Sequence, residues 1–273
     1  WQTEDLERVA LVLGELKAAG AKDGLTLSFL SHGLAESYLR RGDKSYWASR
    51  YEPALADYER AASIDASYVD AMIGKGNALA ARQEWTKAAT EFSRALNLDS
   101  KNKTALLGRA NALAALADWK QALADYQVLA ELEPGLAYRW NRCGEVRAQL
   151  KDFEGAERDF AKALSLYKDY PDAFYGRGFS RYLQGRFEDS IADFTRYIDL
   201  EPNLPAGYAM RGDCYRAQQK WQDAISDYDG AIALASDVYT YYECRADARA
   251  RQGEFVGSVS DFRKALELGA PAA

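Results

Sequence analysis

One histidine, three cysteines and 41 acidic residues are the groups of this chain that could carry catalysis or hold a metal. A nucleophilic triad needs an imidazole set between a nucleophile and an orienting acid. The single candidate, His32, has no serine or cysteine motif beside it. Zinc needs several ligands converging on one point. Cys143, Cys214 and Cys244 are not closely paired, and no histidine joins them. Gly74-Lys75-Gly76 and Gly176-Arg177-Gly178 lack the Lys-Ser/Thr ending of a phosphate loop. The expectation is a chain that is not an enzyme and takes no metal or cofactor.

Charged residues do recur in register. An acid stands at Asp57, Glu91, Asp125, Asp159, Asp193, Asp227 and Asp261. A cation stands at Arg41, Lys75, Arg109, Arg177, Arg211 and Arg245, with Cys143 taking one place in that series. One acid per period, nearly always offered a cation, is the pattern of a structural ladder. The spacing predicts ion pairs broken at Cys143, each partly exposed and contributing ~0–1 kcal/mol.

The elements that must place these groups repeat every 34 residues. Small residues stand at Gly42, Gly76, Ala110, Gly144, Gly178, Gly212 and Ala246. Twelve positions later come Ala54, Ala88, Ala122, Ala156, Ser190, Ala224 and Ser258. Four further on is an aromatic: Tyr58, Phe92, Tyr126, Phe160, Phe194, Tyr228 and Phe262. A second aromatic series, Tyr51, Trp85, Trp119, Phe153, Phe187, Trp221 and Phe255, marks the start of each second helix. Such a period means stacked helical pairs that bury their faces only against neighbours. In the fifth unit Pro171 suits a first helical turn, and Phe174, Gly178 and Tyr182 share a stripe. Gly185 fits a tight turn, a second helix carries Phe187, Ile191, Phe194 and Ile198, and Pro202 ends it. Gly178 and Ser190 are expected to face each other across the hairpin. Both aromatic series are expected to be core.

Hydrophobic residues make up 48% of the chain, as in a folded protein. A net charge of −6 argues against a nucleic-acid partner, whose binders carry basic surfaces. No apolar run approaches the roughly 20 residues of a membrane span. An odd cysteine count, one on each of three first helices, predicts reduced thiols and makes the cytoplasm the default expectation, with the compartment left open. The start at Trp1 reads as a fragment or processed form. Asn102-Lys103-Thr104 is a glycosylation sequon that matters only on export.

These columns resemble the tetratricopeptide repeat: the fourth unit reads Trp140, Cys143, Gly144, Ala156, Phe160, Ala163, and Pro134 and Pro202 close the third and fifth. The resemblance covers about residues 35–270. It implies an all-α, right-handed superhelical solenoid of seven repeats, at about 35–68, 69–102, 103–136, 137–170, 171–204, 205–238 and 239–270. It also implies a scaffold that binds a protein or peptide segment in its concave groove. Where the family often has Leu before the Gly, this chain has the cations of the ladder. Residues 1–34 fall outside the register and read as a capping helix and connector. Thr3 would cap it, Leu6, Val9, Leu13 and Leu16 would form its stripe, and Gly20 would end it. Residues 22–32 read either as a loop plus helix start or as an extension of the first repeat helix. No helix follows Leu268, so the seventh unit caps itself or meets something else.

If first helices line the groove, one face of the fifth unit presents Asp172, Tyr175, Phe179 and Tyr182. Corresponding places in the second and third units hold Asn77, Ala80, Asn111 and Ala114. The three aromatics read as ligand anchors or as packing against neighbouring helices. Asn141 and Glu145 precede them; Asp213, Arg216, Asp247 and Arg251 follow. A mixed-charge apolar peptide would suit that face. In related peptide-binding repeats, asparagines at the place of Asn77 and Asn111 hold the ligand backbone. Ile73 and Leu107 stand where a carboxylate clamp for chaperone tails would need lysine, which disfavours that ligand. Two alternatives stay open: a regulatory domain cut from a larger enzyme, and a self-assembling array joined through its last repeat.

Overall fold

The computed structural model describes residues 3–18 and 24–271, and among these it contains fifteen α-helices and no strand. The chain divides into two compact units, residues up to Leu129 and from Ala130 on. In the first lie α1 (Thr3–Ala18), α2 (Gly24–Trp47), α3 (Tyr51–Ile64), α4 (Val69–Ala81), α5 (Trp85–Leu98) and α6 (Lys103–Ala115). The division falls inside α7 (Trp119–Leu132). The second unit continues with α8 (Ala137–Gln149), α9 (Phe153–Leu166), α10 (Pro171–Leu183), α11 (Phe187–Leu200) and α12 (Pro205–Ala217). It ends with α13 (Trp221–Leu234), α14 (Tyr239–Gln252) and α15 (Phe255–Glu267).

Over residues 24–32 the helical reading is the one that forms. α2 starts at Gly24 and runs through position 34, so the first repeat helix is extended at its N-terminus. Leu6 and Leu13 of α1 are buried against Leu34, Ala35 and Tyr38, with Val9 beside them. Leu16, expected on the same stripe, is exposed. The Thr3 side chain and Gly20 lie outside what is described.

Each hairpin turns on one residue in the left-handed region: Ser49, Gln83, Ala117, Lys151, Gly185, Gln219 and Gly253. Only two are glycine, the residue that adopts this conformation without a Cβ penalty. The amide after each turn residue bonds a carbonyl five residues back, as in Asp118 N to Leu113 O at 2.9 Å and Arg186 N to Arg181 O at 2.9 Å. That bond satisfies a carbonyl the helix end would leave orphaned. Asn102 caps α6 and Asp152 caps α9 through their side-chain oxygens. The sequon asparagine therefore has a structural task.

Glycines let the helices close on the rings. A Cβ on Gly42 would lie 2.8 Å from the Tyr58 ring, and one on Gly74, in the following first helix, 2.6 Å from it. Gly76 and Gly108 flank Phe92 in the same way, and Gly144 and Gly176 flank Phe160. A ring of the second helix is thus held between its own first helix and the next. Gly178 and Ser190 do meet: the Ser190 hydroxyl donates to the Gly178 carbonyl at 2.7 Å. The expectation that all the aromatics are core fails at α15, where Phe255 and Phe262 are exposed.

The ladder forms. Arg41 and Asp57, Arg109 and Asp125, Arg177 and Asp193, Arg211 and Asp227, and Arg245 and Asp261 make two parallel hydrogen bonds each, at 2.5–3.0 Å. Lys75 lies 3.3 Å from Glu91. The acids are buried, which corrects the expectation of partly exposed pairs. Removing one partner of a buried pair leaves an uncompensated charge and costs ~3–5 kcal/mol. The rung cations also reach back to the preceding second helix. Arg109 donates to Ser93 at 3.2 Å, Arg211 to Thr195 at 3.0 Å and Arg245 to Asp229 at 2.5 Å.

At Cys143 the ladder breaks as expected, and Arg147, one turn on, comes within 3.0 Å of Asp159. The two facing atoms are close but make no hydrogen bond, and both are buried. Burial therefore pushes the Asp159 carboxyl up to about 6, with Arg147 and Arg158 pulling the other way. A raised carboxyl pKa means that the fold binds the proton more tightly than the unfolded chain does. This group then stabilises progressively as pH falls from about 6 to about 4, and its penalty is complete above about 6. Asp159→Asn should remove roughly 2–3 kcal/mol of pH dependence across that window. Asp193→Asn, on a fully bonded rung, should lower stability at neutral pH. Urea denaturation of the three proteins at a series of pH values checks both.

Candidate functional site

The first helices α10, α12 and α14 pack side by side in the second unit, as α2, α4 and α6 do in the first. One position on them decides what each repeat offers. It holds Asp43, Asn77, Asn111, Glu145, Phe179, Asp213 and Asp247, fifteen residues before the second-helix ring. Where the ring is tyrosine, its hydroxyl donates to that residue: Tyr58 to Asp43 at 2.8 Å, Tyr126 to Asn111 at 2.5 Å, Tyr228 to Asp213 at 2.7 Å. Where it is phenylalanine, there is no donor, and Asn77, Glu145 and Asp247 face no hydroxyl. Asn111 and Asp213 thus have internal partners that sequence reasoning missed. The signal was present as a tyrosine fifteen residues after a polar groove residue.

Asn141 is 2% exposed and lies off the open face. Its amide donates to Glu145 at 2.7 Å, and Glu145 also accepts from Arg142 at 2.7 Å. Tyr175 is half-buried, its ring 5.6 Å from Phe194 and 5.2 Å from Tyr197. It packs onto α11, and Phe179 is partly buried beyond it.

Tyr182 sits differently. It lines a cavity of about 350 Å³ with Asp213, Arg216, Trp221, Asp247 and Arg251. Five of the groove residues singled out from sequence, Tyr182, Asp213, Arg216, Asp247 and Arg251, therefore converge, from α10, α12 and α14. Asn77 and Asn111 belong to the first unit. Arg216 holds the cavity together: it lies 3.2 Å from Asp213, 3.3 Å from the Tyr228 hydroxyl and 3.5 Å from Asp247. Burial opposes its charge, but Tyr228 and Asp213 hold its pKa above the ordinary arginine value. Burial, then the nearby Asp213, raises the Tyr228 phenol, which therefore stays a donor. Arg251 is 3.6 Å from Asp247 and mostly exposed.

This arrangement offers two aromatic walls, two guanidiniums and two carboxylates. It offers no activated nucleophile. Burial pushes the Cys214 and Cys244 thiols up to about 11 and that of Cys143 to about 12, so none is a thiolate at neutral pH. All three are free. Among the described residues no group of His, Cys, Asp and Glu could hold a metal ion. No described helix is long and apolar enough to cross a membrane.

Paired helices stacked by a repeated ring contact define a helical-repeat protein. The tetratricopeptide repeat model matches residues 33–103, 73–137, 144–205 and 209–273, and the chain belongs to that family. Its fold is that of a protein-binding scaffold. No curated protein matches the chain. A tetratricopeptide repeat protein from Parabacteroides merdae is similar in structure (TM-score 0.66, 22% identity), with 86% of this chain and 93% of that one covered. The C-terminal part of a repeat protein from Cytophaga hutchinsonii superposes with a TM-score of 0.70 at 15% identity, over 85% of this chain and 95% of that one. YrrB, described as a TPR protein with an unusual peptide-binding site, gives 0.58 at 19% identity, over 66% of this chain and 93% of its own.

The two kinds of hydroxyl bond should differ in strength. Tyr228→Phe removes a bond to a carboxylate and should cost about 1.5–3 kcal/mol, whereas Tyr126→Phe removes one to an amide and should cost about 0.5–1.5 kcal/mol. Urea denaturation of the two variants checks the order.

Proposed function

We propose that the chain is a recruiting scaffold whose first-helix face in the second unit binds a protein segment of mixed charge and apolar character. The observation that carries this reading is the convergence of Tyr182, Asp213, Arg216, Asp247 and Arg251, with Trp221, around one cavity. Tyrosine, tryptophan and arginine are the residues enriched where binding energy concentrates. In the unit's other first helices the place of Tyr182 and Arg216 is taken by Ala148 and Ala250, so neither side chain is demanded by the repeat. Asp247 has a phenylalanine, Phe262, where Asp213 has Tyr228, so no tyrosine hydroxyl takes up its carboxylate, which meets Arg216 at 3.5 Å and Arg251 at 3.6 Å. In the first unit, Asn77 is the matching group. The division into seven repeats between about 35 and 270, preceded by a cap over 1–34, is part of the same reading. The left-handed turn residue recurring every 34 positions supports it.

A displayed peptide library selected on the protein tests the proposal. Enriched segments should bind a Tyr182→Ala, Arg251→Ala variant at least about tenfold more weakly, a loss of ~1.4 kcal/mol. Circular dichroism and melting should match the parent, since both side chains are partly exposed. Equal binding by the variant places the site elsewhere, and a library without enrichment contradicts the reading.

A further inference from the structure

We propose that the segment recruited by the second unit is amphipathic with a basic side, its apolar residues lying along α10 and its lysines or arginines along α14. The inference rests on the groove reading and narrows it. First helices pack side by side and repeat every 34 residues, so matching positions on α10, α12 and α14 form rows across the face. One row holds Tyr175, Ala209 and Glu243, and the next holds Phe179, Asp213 and Asp247. Tyr182 follows on α10, which gives that helix a wall of three partly exposed aromatics. Between the walls α12 is small at Ala206 and Ala209, both partly exposed. α14 presents Glu243 and Asp247 opposite the rings. The two walls come near each other over that floor. Burial, then Tyr241 of α14 and Asp213 of α12, raises the Tyr175 phenol.

The charge balance sets the sign of what fits. Arg216 and Arg251, the cations around the cavity, are already taken up by carboxylates. Arg216 meets Asp213 at 3.2 Å and Asp247 at 3.5 Å, and Arg251 meets Asp247 at 3.6 Å. Asp213 also accepts from Tyr228 at 2.7 Å. Glu243 is partly buried and has no cation or hydrogen-bond donor as partner among the described residues. The unmet charge is therefore negative, and it stands on the wall facing the aromatics. The repeat does not demand this pattern. In the first unit the places of Tyr175, Ala209 and Glu243 hold Leu39, Ile73 and Leu107, and that of Asp247 holds Asn111. An acidic segment would set like charges against Glu243 and Asp247, and such a juxtaposition is penalised. A basic one would meet opposite charge there, while the rings supply contact area at low entropy cost.

Two displayed peptide libraries, alike in their apolar positions and carrying either Lys and Arg or Asp and Glu at the rest, test this against the whole protein. Only the basic library should enrich. Its segments should bind Glu243→Gln about tenfold more weakly than the parent, and the parent about tenfold more weakly when sodium chloride rises from about 0.05 to about 0.5 M. Glu188→Gln, which removes an exposed acid of α11, should leave binding unchanged. Tyr182→Ala should weaken binding and leave its salt dependence as it is. Circular dichroism and melting of each variant should match the parent. Enrichment of the acidic library, alone or equally with the basic one, overturns the inference. If those segments lose affinity for Tyr182→Ala, the groove reading stands without it. Enrichment of neither library overturns both. Basic segments that bind Glu243→Gln as tightly as the parent also overturn it. So does an equal loss with Glu188→Gln, which would trace the attraction to the overall charge of −6.

Discussion

The stacking depends on one contact: a flat ring from a second helix enclosed by its own first helix and the next. The ring needs closely approaching backbones, so glycine stands beside Tyr58, Phe92 and Phe160 on both sides. Packing this tight tolerates little change in volume, since interiors are as dense as organic crystals. The contact also sets the register between repeats. It fixes where the next first helix lies, and hence which side chains of α10, α12 and α14 come together around the cavity of the second unit.

The ladder is built on that register. Each buried acid sits beside the ring residue, and each rung cation sits beside the small residue that meets it. The guanidinium then bonds its own second helix and, at Arg109, Arg211 and Arg245, the one before. Such pairs are a poor source of net stability, but a broken one is expensive. They therefore penalise any stacking in which the helices slip. The exception is α8. Cys143 replaces the cation, Arg147 substitutes without a hydrogen bond, and Arg139 and Asn141 each bury an unpartnered atom. Its acid, Asp159, is pushed up by burial, as is Asp227 on a bonded rung.

Periodic features were legible in the sequence because a stacked array repeats its physics. The helical hairpins, the turn at Gly185, the Gly178–Ser190 contact and the break at Cys143 all follow from columns of residues. Features that depend on two columns at once were harder to read. Asn111 and Asp213 looked like groove residues because the tyrosine that engages each lies fifteen positions away on another helix. The burial of the ladder acids was underestimated because charge alone suggests solvent. Tyr175 was grouped with Tyr182 by helical spacing, and both rings meet α11, but only Tyr182, against Phe187 at its start, also lines the cavity. That difference depends on the neighbouring helix, which spacing within α10 does not encode. The helix over residues 24–32 was ambiguous because it precedes the repeat register.

A double-mutant cycle between Phe160 and Gly176 measures the central contact directly. With the phenylalanine in place, Gly176→Ala should cost ~1–3 kcal/mol, the usual penalty of overpacking. In a Phe160→Leu background, where the ring is gone, the same change should cost less than ~0.5 kcal/mol, so the two substitutions couple strongly. An equal cost in both backgrounds would mean that the ring and the following helix are energetically independent, and the account of how the repeats are held in register would be wrong.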